Sequence, residues 1–297
     1  MEFNSLNTDM TTLESFAFFS IYLFCLEHNP TLIYKISKEV NFHSQEANTD
    51  EDLKICLRDF FKAYPHCTCS QDFILYLLID TNKYIFDFSH LSRFYIKDVL
   101  LGSEMSDEQV DYIKSIKTSS VYTNPDLLIV LNTGQLIPLE LKSTKKDKIP
   151  GSSVQQVDPT GFVLFVKKTP RDEIEITTGI YANSITGRVQ FPDRSPRPEV
   201  SFSSLDYWNQ KHRSYSAGSL TLSYQTDELE TKSRNFIDWQ QSLTEEWLDY
   251  VKSDRSPRKW FDINLRMFTY ELVKYYETLS EDEKKIFIQT NFNLKSN

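Results

Sequence analysis

Asp126, Glu140 and Lys142 are the residues whose types and spacing could do chemistry in this chain. Two carboxylates brought together can hold a hard divalent cation, which takes carboxylate and carbonyl oxygens and reaches across to phosphate. A lysine beside them can orient or deprotonate a water, or stabilise negative charge that develops on a phosphoryl group. The cation would polarise the phosphodiester and make its water more acidic.

The intervening sequence must position them. Asp126-Leu-Leu-Ile-Val-Leu131 and Gln135-Leu-Ile-Pro-Leu-Glu-Leu-Lys142 are β-rich runs separated by Asn132-Thr133-Gly134, a hairpin signal with glycine at the left-handed position. If Leu131 pairs with Gln135, Asp126 falls opposite Glu140. Opposed Cβ atoms stand roughly 4.5–5.5 Å apart on one sheet face. Lys142, two residues beyond Glu140, shares that face. The opposite face carries Leu127, Ile129, Leu131, Ile137, Leu139 and Leu141; the charged face otherwise carries Leu128, Val130, Leu136 and Pro138. A sheet apolar on both faces is covered on both sides, which predicts an α/β class fold. Two carboxylates at the rim of a buried face need a cation, a shared proton or a lysine. A solvated ion-pair cluster at a sheet end would use the same residue types; the apolar setting and the matched register favour a metal. Asp126, Glu140 and the backbone carbonyl of Leu141 are the expected ligands.

Pro125-Asp126 followed by Glu140-Leu141-Lys142 resembles the PD-(D/E)xK nuclease superfamily, and the segment from Ser143 to Lys168 is similar to its type II restriction endonucleases. The resemblance implies a restriction-endonuclease-like core, a central mixed β-sheet flanked by helices. It implies Mg2+ as cofactor, no organic cofactor, double-stranded DNA as partner, and 5′-phosphate and 3′-hydroxyl products. It also implies a helix and then a strand after the lysine strand, here near 152–157 and over 161–168. Ser152, Ser153 and Gln156 would then contact phosphates, although a serine there also caps a helix. Many members carry a further acid on an upstream helix; Glu14, Asp59 and Glu108 are candidates, and nothing in the sequence selects among them.

The 297 residues suffice for a large core, expected as one catalytic domain over 1–297 with its centre at about 70–182, a helical N-terminal part (1–65) and a helical C-terminal part (227–297). The apolar run Phe16–Leu26 is about half a membrane span and reads as a buried helix, so the expected location is the cytoplasm, with no membrane partner. His66-Cys67-Thr68-Cys69 has no second Cys/His pair at zinc spacing, and core thiols are expected.

Net charge is −9, yet residues 140–215 hold twelve Lys and Arg against nine acids. Phosphate binding depends on local basic surface. Residues 183–216, rich in Ser, Pro and Arg, read as a long polar loop suited to reading base edges. Arg188, Arg194, Arg197, Lys211 and Arg213 are its candidate DNA contacts. Cutting both strands of a palindrome favours a homodimer. The alternatives are a structure-selective repair or recombination nuclease, and a non-catalytic DNA-binding relative.

Overall fold

The N-terminal helix shows how this chain makes its core. The computed structural model describes residues 10–42, 46–68, 72–115, 125–152, 157–190, 197–216, 218–237, 239–253 and 260–292. Helix α1 (Met10–Glu27) is apolar on every side, and 67% of it is buried. By length and composition it could cross a membrane; here Phe16 packs 5.0 Å from the ring of Phe162, and Phe19 meets the same ring edge-on at 5.1 Å. A helix hydrophobic all round belongs in a core, and each such side chain contributes about 1.5–3 kcal/mol when fully buried.

Helix α2 (Pro30–Glu39) follows, capped by Asn29 accepting from the Leu32 N–H, and then α3 (Glu46–Ala63). Strands β1 (Ile74–Ile79) and β2 (Asn82–Asp87) form an antiparallel hairpin. Its turn is Asp80-Thr81, and Asp80 takes the left-handed φ of 53°. After α4 (Phe88–Leu91) come β3 (Ile96–Leu101) and α5 (Asp107–Ser115). Ser106 and Gln109 cap α5 reciprocally.

Strands β4 (Leu127–Leu131) and β5 (Leu136–Thr144) are the expected hairpin, in the expected register: Leu127 opposes Leu139 and Val130 opposes Leu136. Gly134, at φ 86°, closes the turn, with the Leu131 N–H donating to the Gln135 carbonyl at 2.9 Å. Then come β6 (Lys148–Pro150), β7 (Phe162–Lys168) and β8 (Ile174–Ile180). The central five-stranded sheet has the order β3-β4-β5-β7-β8, with β5 and β7 parallel and the other pairs antiparallel. It is mixed and flanked by helices: α1 and α2 pack on β8, and α3 on β3 and β5.

The helix expected near 152–157 falls mostly on residues 153–156, which lie outside the described residues; strand β6 precedes it, and Ser152 and Val157 are not helical. One expectation is corrected here: 183–216 is not a loop. It carries a short 3-10 turn (Tyr181–Ser184), β9 (Ile185–Gln190), β10 (Arg197–Ser201), α6 (Phe202–His212) and β11 (Arg213–Ser216). Ser, Pro and Arg gave it a loop-like composition, but Val200, Phe202, Leu205 and Trp208 bury enough apolar surface to order it. Strands β6, β10 and β9 form a small antiparallel sheet, and α6 packs on β7 and β8. Strand β12 (Ser219–Tyr224) pairs parallel with β1 in a four-stranded sheet, β11-β12-β1-β2.

The sheet therefore has two different faces. Leu139, Leu141, Phe162, Leu164 and Val166 enter the large core with α1–α3. Val163, Phe165, Tyr181, Val200, Phe202 and Leu205 form a smaller cluster of their own. By strand alternation, Glu140 and Lys142 share this second face, beside Val163 and Phe165 across the parallel β5–β7 ladder.

Helix α7 (Thr226–Ile237) ends the larger of two compact units, which divide after Trp239. The boundary thus falls inside the expected helical C-terminal part. The second unit holds nearly all of α8 (Trp239–Lys252), α9 (Trp260–Thr278) and α10 (Glu281–Phe292). Arg266 ties α9 to α8, donating to the Ser253 carbonyl at 2.9 Å with its guanidinium over the Tyr250 ring. Phe287 of α10 packs on Tyr275 and Tyr276.

Candidate active site

The β4–β5 ladder ends at Leu127 and Leu139, and the site begins where it stops. Asp126 lies in a bend just before β4. Its Oδ2 accepts from the Leu141 N–H at 2.8 Å, so the side chain serves the neighbouring strand as a backbone acceptor would. The other oxygen, Oδ1, takes the ammonium of Lys54 at 2.8 Å.

Lys54 had no sequence signal. It projects from α3, the helix packed against β3 and β5. The upstream helix therefore sends a cation to Asp126. The three acids expected as possible partners lie elsewhere. Glu14 is held by His90 at 2.7 Å and Arg93 at 2.6 Å, Asp59 pairs with Arg58, and Glu108 is exposed on α5.

Glu140 and Lys142 sit where the alternation of β5 puts them. The Lys142 ammonium donates to Glu140 Oε1 at 2.8 Å and to the Leu141 carbonyl at 2.9 Å. The Ser152 hydroxyl donates to the same Glu140 oxygen. Ser152 was expected to touch phosphate; it binds the carboxylate instead. Its N–H donates to the Tyr181 hydroxyl at 2.9 Å, which fixes the turn. Gly151 makes that turn possible: a Cβ there would stand 2.6 Å from the Tyr181 hydroxyl and 2.9 Å from the Pro198 carbonyl.

The electrostatics follow from burial. The Glu140 side chain is 13% exposed and that of Lys142 9%. Desolvation, and then repulsion from Asp126, push the Glu140 carboxyl above the usual range against the opposing pull of Lys142 and Ser152. Burial alone would lower the pKa of Lys142, but Glu140, Tyr181 and Asp126 outweigh it and the net shift is upward. Lys142 is therefore held as a cation. Tyr181 is pushed up to about 12, chiefly by burial, and stays a neutral phenol.

No protein family, characterised protein or solved structure matches this chain.

The site must be weighed on its own chemistry. Among the described residues, no group of three or more His, Cys, Asp or Glu side chains is placed to hold a metal. What the site offers is two carboxylates and the Leu141 carbonyl. These are hard oxygen donors of the kind magnesium takes together with several waters. Two carboxylates, one at the head of β4 and one on β5, with a carbonyl between Glu140 and Lys142 make a donor set that fits a divalent cation. The Lys142 ammonium now occupies two of those oxygens and Lys54 a third.

The other sequence candidates divide clearly. Arg213 was expected to contact DNA. Its side chain is 14% exposed, and it donates to Glu27 at 2.7 Å and to the Thr178 carbonyl. It is a buried structural ion pair, unavailable to a phosphate. Arg197 and Lys211 are exposed, on β10 and at the end of α6. Arg188 lies in β9, and Ser153, Gln156 and Arg194 fall outside the described residues. Lys145 and Lys146 are exposed immediately beyond β5, three and four residues after Lys142. The Cys56 thiol is buried and pushed up to about 12 by desolvation, as a core thiol is. The Sγ atoms of Cys25 and Cys67 lie 3.7 Å apart with no disulfide between them, and Cys69 falls outside the described residues.

Proposed function

We propose that this chain is a magnesium-dependent endonuclease of the PD-(D/E)xK type, of the restriction class, that hydrolyses double-stranded DNA at a short specific sequence. The observation that carries the reading is the half-buried pair Asp126 and Glu140, with Lys142 on the same strand face as Glu140, at the end of the β4–β5 hairpin. Asp126, Glu140 and the Leu141 carbonyl would hold the cation. When bound, magnesium would polarise the phosphodiester and acidify the attacking water.

The chain's own residues do the rest. Lys142 remains an ammonium, which suits it to stabilising charge on the phosphoryl oxygens and not to removing a proton. Ser152 and Tyr181 hold Glu140 in place. Lys145 and Lys146, exposed past the end of β5, supply positive charge where a DNA backbone would pass. A two-fold symmetric dimer would match a two-fold DNA site.

A second reading has one observation in its favour. Lys54 and Lys142 already balance Asp126 and Glu140 charge for charge, as a non-catalytic DNA-binding relative would require. Incubating the protein with plasmid DNA in Mg2+, Mn2+ or EDTA, followed by end sequencing, separates the readings. Discrete fragments with 5′-phosphates in Mg2+ alone are expected. Cutting confined to branched substrates would identify a structure-selective nuclease, and intact DNA under every condition would leave the non-catalytic reading.

A further inference from the structure

We propose that Lys54 is the resident counter-ion of Asp126, a positioning residue that competes with the divalent cation and sets how tightly the site takes it. The inference rests on the nuclease reading and adds a residue to it.

Lys54 Nζ lies 2.8 Å from Asp126 Oδ1, the one oxygen of that carboxylate not already engaged by the Leu141 N–H. A cation binding Asp126 would approach that same oxygen, and an ammonium and a divalent ion sharing it would repel strongly at such short range. The two lysines also differ in exposure. Lys142 is 9% exposed and held by both Glu140 and the Leu141 carbonyl, whereas Lys54 is 26% exposed and reaches Asp126 from another element on a flexible four-carbon stem. Lys54 is the lysine that exchanges with the cation.

Without the cation, Lys54 keeps Asp126 ionised and aimed at β5. With it, Lys54 swings off and remains within reach of an anion arriving at the site. The site thus carries a removable unit of positive charge.

The test is Mn2+ binding, read by electron paramagnetic resonance or calorimetry on the full chain without DNA, alongside plasmid cleavage. Lys54→Gln is expected to tighten Mn2+ binding about tenfold, while Lys54→Arg, which keeps the charge, stays within about threefold of the wild type. Equal affinity in the wild type and Lys54→Gln, with wild-type cleavage intact, would overturn the role of Lys54 and leave the nuclease reading standing. A wild type that neither binds Mn2+ nor cuts would remove the nuclease reading itself. Should Lys54→Gln fail to fold, Lys54→Met serves in its place. If both fail where Lys54→Arg folds, Lys54 is a structural ion-pair partner and the inference is overturned.

Discussion

Two carboxylates of this protein are nearly equally hidden and are treated in opposite ways. Glu27, 10% exposed, gives one oxygen to Arg213 and to both the N–H and the hydroxyl of Thr178; Arg213 in turn reaches the Thr178 carbonyl, which also accepts from Asn209. One carboxylate meets one fixed cation and a set of dipoles, with no second acid bonded into the cluster among the described residues. Glu140, 13% exposed, has Asp126 as a neighbour, and its pKa is driven up. The first arrangement has all it needs to hold α6 and β11 against β8. The second sets two carboxylates side by side and gives each its own lysine, Lys142 for Glu140 and Lys54 for Asp126. The first is a closed structural ion pair, whereas in the second one acid still raises the pKa of the other.

The comparison can be broken in several places. Arg213→Ala should strip Glu27 of its cation and cost about 3–5 kcal/mol, as removal of one partner from a buried pair does, read by urea unfolding. If it instead weakened DNA binding with stability unchanged, the contrast would fail. Lys142→Ala should slow cleavage by about 10²–10³-fold, the usual effect of losing one charge-stabilising donor, in single-turnover assays with Mg2+. Gly151→Ala would force its methyl group against Tyr181, and overpacking of this kind costs about 1–3 kcal/mol. Because Tyr181 holds Ser152, and Ser152 holds Glu140, cleavage should fall with it.

The smallest effect is a pH slope. The folded-state pKa of Glu140 lies above its unfolded value, so the stability tied to its proton is present below that unfolded value and is lost as pH rises towards the folded one. Glu140→Gln lacks this titration. In thermal melts without divalent cations, the variant should gain on the wild type as pH climbs from the carboxylate range towards neutrality. A constant difference across that range would show that Glu140 is no more strained than Glu27.

The part of the site legible in the sequence was the part that is local. Asn132-Thr133-Gly134 set the turn, and alternation set the register, which is why Asp126, Glu140 and Lys142 could be brought together before any coordinates. Lys54 was illegible because a single lysine on an amphipathic helix has no pattern, and only the packing of α3 on β5 gives it a partner. Arg213 misled for the same reason: an arginine in a polar stretch looks solvent-facing until Glu27 arrives from the far end of the chain. The order in 183–216 was hidden by its Ser, Pro and Arg content, since widely spaced apolar residues anchor it.

Gly134 lies at the other end of the hairpin from the chemistry, yet it works as the ruler for it. Side chains alternate with a period of two, so slipping one strand by a single residue turns every side chain to the wrong face. With the three-residue turn kept, one residue added between Asn132 and Gln135 would bring Leu139 to the place of Glu140 beside Asp126 and press the acid and the lysine into the oily layer under α3. The phase of the whole site is written in a three-residue turn that touches none of it.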